Sequence, residues 1–128
     1  IDPSQYGVIA NYLRAATVTR GTDIIRQGQV GDSMFLIARG IAHVTVETNG
    51  EKKDLATLYA GDFFGESALL NDTARNATAT AATPCSMYEL KRSDLDRICS
   101  TYPEIRDGVK KVDEQRREAN KAQSAEPS

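Results

Sequence analysis

Gly65, Glu66, Ser67 and Ala68, followed nine positions after the acid by Arg75, are the residues of this chain best suited to chemistry. A short helical turn beginning at Glu66 leaves its first amides without carbonyl partners, and such amides attract anions. Gly65 lets the backbone come close, while Ser67 and Ala68 are too small to cover the amides. Arg75 can grip the same anion with two parallel hydrogen bonds. Glu66 can accept a sugar hydroxyl, as the acid of dinucleotide folds does. Taken singly, each residue has a plainer reading. The acid suits any helix start, the arginine suits a solvated loop, the serine suits a polar turn and the glycine serves that turn. Their order within one segment favours the joint reading, a seat for a phosphate carrying a sugar.

Something must hold these residues in place. Asp2, Pro3 and Gln5 read as a helix start, with Tyr6, Ile9, Ala10 and Leu13 on one face. From Ala15 the pattern changes to short β-rich runs: Ala16–Thr19, Asp23–Gln27, Ser33–Ala38, Ile41–Thr48, Lys53–Ala60, Ala77–Thr83 and Cys85–Lys91. Glycine-bearing turns separate them, and Asn49-Gly50 is the clearest hairpin signal. Short, evenly spaced strands argue for a mainly β, antiparallel roll of jelly-roll type. The Ala/Thr run 77–83 would leave room inside it. Ser93 is the expected cap of a helix carrying Leu95, Ile98, Cys99 and Tyr102 on one face. Pro103 ends that helix or opens the next, which runs from Glu104 to about Ala122. Its apolar stripe is thin: Ile105, Val109, Val112, then Arg116 and Ala119. Pairs such as Asp107–Lys111 and Asp113–Arg117 are assigned to its exposed face. The resulting division is an N-terminal helix over 1–14, a β-roll core over 15–92, C-terminal helices including a lid over 93–122, and a disordered tail over 123–128.

A length of 128 residues accommodates one domain with a real core. The net charge of −2 offers no field for duplex DNA or anionic lipid. No apolar run reaches bilayer-spanning length, and no secretory leader is recognised. Cys85 and Cys99 lie in apolar patterns and read as reduced core thiols of a cytoplasmic protein. The chain opens on Ile1, which suggests a segment of a longer protein. An enzymatic reading lacks support: His43, the single histidine, reads as a surface or edge residue, and no nucleophile–base or metal-ligating set assembles.

A cyclic nucleotide presents the required groups: a monoanionic phosphodiester, a ribose with a free 2′-hydroxyl, and a flat base. The run Phe64-Gly65-Glu66-Ser67-Ala68-Leu69-Leu70, then Thr73-Ala74-Arg75-Asn76-Ala77-Thr78, resembles the phosphate-binding cassette of the cyclic nucleotide-binding domain family. Ile25-Arg26-Gln27-Gly28, Gly31-Asp32-Ser33-Met34-Phe35 and Arg39-Gly40 resemble that family's first turns. The likeness covers roughly residues 13–117. It implies an eight-stranded β-roll with an N-terminal helix, a short phosphate-binding helix and two C-terminal helices, the last a lid over the base. It also implies that Glu66 binds the 2′-hydroxyl and Arg75 the equatorial phosphate oxygens, helped by amides near Ser67 and Ala68. The expected ligand-binding set is Phe64, Gly65, Glu66, Ser67, Ala68, Arg75, Asn76, Ala77 and Arg116, with no catalytic or metal-binding residue and no cofactor beyond the ligand, cAMP or cGMP. Arg116 either stacks on or hydrogen-bonds the base or is a solvated helix arginine. Two positions depart from the family. Ala74 stands where many members carry proline. Asn76 stands where they carry alanine, serine or threonine, a hydroxyl there favouring cGMP. The expected partner is a covalently attached effector such as an ion channel. A truncated catabolite-activator-type regulator and an interaction module without a ligand are the alternatives.

Overall fold

The computed structural model describes residues 9–125, with side chains through 119. Eight antiparallel strands form two four-stranded sheets. These are β1 (Arg14–Val18), β2 (Asp23–Ile25), β3 (Ser33–Arg39), β4 (Ala42–Thr48), β5 (Glu51–Leu58), β6 (Phe63–Phe64), β7 (Thr78–Ala81) and β8 (Cys85–Lys91). One sheet runs β1-β8-β3-β6 and the other β2-β7-β4-β5. Besides the helical residues Ile9 and Ala10, the described residues form α1 (Glu66–Asn71), α2 (Arg92–Thr101) and α3 (Pro103–Ala125). The expected β-roll with flanking helices is therefore the fold. The cap expected at Asp2 and the first turn from Tyr6 lie outside the described residues, whereas Ile9 and Ala10 are helical.

Two apolar clusters divide the interior. Ile37, Leu58, Phe64, Met87 and Cys85 meet Ala42, Ala79 and Ala81 inside the roll. Met34, Leu69 and Leu90 meet Leu95, Ile98, Cys99 and Ile105 beneath the helices. Strand β6 serves both, since successive strand residues face opposite ways. Phe64 belongs to the roll interior and stacks on Phe35 at 5.4 Å. Phe63 packs against the helical cluster. Burying a side chain of this size stabilises the fold by about 1.5–3 kcal/mol. Both cysteines are buried and unpaired, Cys85 in the roll and Cys99 at the α2–α3 junction.

The local chemistry explains where the observed elements depart from the expected ones. At the hairpin Asn49 and Gly50 both take positive φ, 55° and 82°, the pair of conformations a two-residue turn demands. This pairs Thr48 with Glu51, so β5 begins at Glu51 rather than Lys53. Strand β2 ends at Ile25 because the Gln27 side chain replaces the ladder, accepting from the Glu47 amide at 2.7 Å and donating to its carbonyl at 3.0 Å. A register shift between Val44 and Thr45 turns Thr45 inward. His43 is exposed, yet it lies on β4, which is paired on both sides, so it is a surface and not an edge residue.

The helices bring further corrections. Ser93 is not a cap: α2 begins at Arg92, and Lys91 occupies the cap position with no side-chain hydrogen bond. The loop carbonyl of Asp32 accepts the Arg92 amide at 2.7 Å and does the capping work instead. Pro103 opens α3, which continues to Ala125, so residues 123–125 of the expected tail are helical while 126–128 lie outside the description. The buried face of α3 is Ile105, Val109 and Asp113, with Val112 and Arg116 half-buried and Ala119 exposed. Asp113 and Arg117 do pair, at 3.2 Å, but the acid is buried and not on a solvated face.

Candidate functional site

The chain between β6 and β7 builds the site. Gly65 takes a left-handed φ of 85° at the start of α1, a conformation that glycine adopts without steric cost. This aims Glu66, Ser67 and Ala68 toward the roll interior, all three buried. The chain then returns through Arg75, whose amide donates to Gln29 O at 2.8 Å and whose carbonyl accepts from the Gly28 amide at 2.7 Å. The Arg75 end of the segment is thus tied to the turn at Gly28 and Gln29. Ala77, just before β7, and Ala79 within it present only methyl groups inward and line a cavity of about 100 Å³.

All nine residues of the expected set line that cavity: Phe64, Gly65, Glu66, Ser67, Ala68, Arg75, Asn76, Ala77 and Arg116. Ile25, Val44 and Leu58 add an apolar wall, and α3 contributes Asp113 and Arg117 as well. Sequence reasoning missed these two. A signal existed: Asp113 continues the four-residue spacing Ile105, Val109, but hydrophobicity drew the stripe to Val112 instead.

Glu66 is 3% exposed and accepts a hydrogen bond from Arg116 Nη1 at 2.8 Å. Burial pushes its carboxyl above the usual range, while the Arg116 charge pulls the other way. The acid is buried and Arg116 only half-buried, so removing the arginine leaves a desolvated carboxylate short of its counter-charge. Arg116 also lies over the Phe63 ring, 5.1 Å from its centre, so the guanidinium is held by both an acid and a π face. Arg75 is not a solvated loop residue. It is 7% exposed and donates to Ser33 O at 2.7 Å and Gly65 O at 2.8 Å. Burial lowers its pKa from the usual value, offset by Asp32 and Glu66. Its contact with the Gly65 carbonyl fixes the arginine to the turn that opens α1. Arg117 Nη2 donates to Ser67 Oγ at 3.1 Å. Asn76 is exposed, 3.5 Å from the same hydroxyl.

Three guanidiniums and two carboxylates face the cavity, leaving one net positive charge. The arrangement suits a monoanion with a hydroxyl near Glu66. At about 100 Å³ the cavity is smaller than the roughly 300–1,000 Å³ of ordinary small-molecule sites, and Asp113, Arg116 and Arg117 of α3 line it. Among the described residues no group of histidine, cysteine and acid side chains is arranged for a metal. No helix among them is long and apolar enough to cross a membrane.

A family model for the cyclic nucleotide-binding domain matches residues 16–102, so the chain belongs to that family, whose domains are regulatory and not catalytic. It is 40% identical over 109 residues to a cyclic nucleotide-gated potassium channel of Rhizobium etli, covering 85% of this chain and 29% of the channel. Among solved structures it resembles the catabolite activator protein of Thermus thermophilus, with a TM-score of 0.87 and 25% identity over 97% of this chain and 59% of that one. It also resembles the regulatory domain of Toxoplasma gondii protein kinase A crystallised with cAMP, with a TM-score of 0.77 and 30% identity over 89% of this chain and 44% of that one. The chain spans about a third or less of the first curated relatives it matches.

Proposed function

We propose that this chain is a cytoplasmic, non-enzymatic sensor of cAMP or cGMP that regulates an effector to which it is covalently attached, an ion channel first among the candidates. The observation that carries the reading is the convergence of Glu66, Arg75 and Arg116 on one cavity with a single net positive charge. Glu66 takes the ribose 2′-hydroxyl. Arg75 and the first amides of α1 take the cyclic phosphate, and Arg116 meets the base. The lack of a hydroxyl at Asn76 favours cAMP. Residues 15–92 form the ligand-holding roll, and α3 is the lid.

Arg116 and a ribose 2′-hydroxyl compete for the same Glu66 carboxylate, so a bound nucleotide frees Arg116 for the base and changes how α3 is held. The lid position then reports occupancy to the effector. The likeness to the potassium channel supports a channel effector, and the likeness to the catabolite activator protein supports a transcription regulator as the second reading. Thermal unfolding with saturating cAMP and cGMP tests the sensor: stabilisation by either nucleotide supports it. A midpoint unmoved by both leaves an interaction module that does not take the ligand.

A further inference from the structure

Arg92 lies outside the cavity, yet it touches the elements on both sides of Arg75. Its Nη2 donates to the carbonyl of Ala68 at 3.0 Å, one of the last-turn acceptors of α1 that have no partner within the helix. The same nitrogen lies 3.4 Å from the carbonyl of Gly31. Gly31 itself has no room for a side chain, since a Cβ there would collide with the Arg75 guanidinium. The Arg92 amide closes the triangle by donating to Asp32 O. One residue therefore holds the far end of α1, the loop that backs Arg75, and the first turn of α2.

The cost of this placement is visible. Arg92 Nε is the single buried side-chain nitrogen or oxygen without a partner among the described residues. A buried donor left unpaired is unfavourable, so the side chain sits where the carbonyls require it. Its ion pair with Asp72 is not the reason, because the Asp72 side chain is 86% exposed and such pairs contribute little. Helix α1 has only six residues, too few to persist without outside support. From α2 the connection continues through Leu95, Ile98 and Cys99 to Ile105 of α3, the helix that places Arg116 on Glu66.

We propose that Arg92 is a positioning residue for nucleotide binding: it sets α1 and the Gly31 loop around Arg75 and passes any shift of α1 to the α2–α3 pair. The proposal rests on the sensor reading for its ligand but not for its anchor. A lysine in its place presents one ammonium and not a planar fork, so it serves one carbonyl at a time.

The test uses the full chain with Arg92→Ala, Arg92→Lys and Asp72→Ala, read by calorimetry with cAMP and by hydrogen exchange. Arg92→Ala should weaken cAMP by about tenfold or more, the scale of lost charge-assisted hydrogen bonds. At saturating cAMP the ligand-induced change in protection over residues 104–118 should shrink. Arg92→Lys should recover part of both, and Asp72→Ala should stay within about twofold of the parent. Unchanged affinity in Arg92→Ala overturns the proposal. So does weakened binding with the full response of 104–118 retained, which would make Arg92 a packing residue only. If Arg92→Ala does not fold, Arg92→Lys is judged on the same readouts. Should the parent chain take up neither cAMP nor cGMP, the sensor reading fails by itself. The anchor is then decided in the free protein: faster exchange over 66–71 in Arg92→Lys than in Asp72→Ala supports it, and equal rates overturn it.

Discussion

Glu66 and Arg75 reach the same cavity with different debts to the protein around them. Arg75 donates to two backbone carbonyls, so it is both a scaffold and a positive charge. Arg75→Ala should therefore weaken cAMP binding by about 2–5 kcal/mol, the range for truncating one side of a desolvated charge pair. Titration calorimetry checks this, and an unaltered dissociation constant removes Arg75 from the site. Glu66 carries a pH signature. Its carboxyl is raised above the ordinary 4.5 by burial, against the pull of Arg116, so the folded chain holds that proton more tightly than the unfolded one. The resulting contribution to stability is complete below pH 4.5 and disappears as pH rises through the folded value. Glu66→Gln should flatten the decline of stability in that window, and urea melts across a pH series would show parallel profiles if Glu66 were not the cause. Both residues were legible in the sequence only through their joint order with Gly65, Ser67 and Ala68, since each alone has a plainer reading. The engagement of Glu66 by Arg116 was not legible, since a helix fifty residues away supplies the partner.

Helix α3 is where local pattern misled most. Its apolar signal is thin because its buried face includes an acid, Asp113, whose burial is made tolerable by Arg117 at 3.2 Å. Hydrophobic periodicity does not count such a residue as interior. Strand β6 escaped for a different reason: two residues cannot display alternation, and only the pairing with Phe35 and Leu36 defines it. The hairpin at Asn49-Gly50, by contrast, was readable because its chemistry is wholly local. Lid movement makes a prediction at this scale. Hydrogen exchange over residues 104–118 should differ between the free and the cAMP-saturated protein, and identical protection argues against a moving helix. Gly108 offers a second handle. It is exposed, has open space around the position of a Cβ, and sits inside the helix. Gly108→Ala should stabilise the chain by roughly 0.5–1 kcal/mol, seen as a higher thermal midpoint.

For the molecule as a whole, the two clusters lie on either side of the β1-β8-β3-β6 sheet, and β6 bridges them by placing Phe64 in the first and Phe63 against the second. A nucleotide held only by the folded state should add about 2.7 kcal/mol of stability at a hundred times its dissociation constant. Titrating thermal midpoints against cAMP and cGMP separately would rank the two by the concentration each needs. The two-sheet architecture was readable from strand spacing and turn chemistry, while the split of its interior into two clusters depends on contacts between distant segments. Cys99 turns that split to practical use. The residue is 6% exposed where α2 meets α3, and burial raises its thiol pKa, whereas Cys85 sits inside the roll away from that junction. An alkylating reagent should consequently find Cys99 only during moments when the helices separate. The native chain already carries a chemical stopwatch for its own opening, with Cys85 as the internal standard, and needs no engineered label.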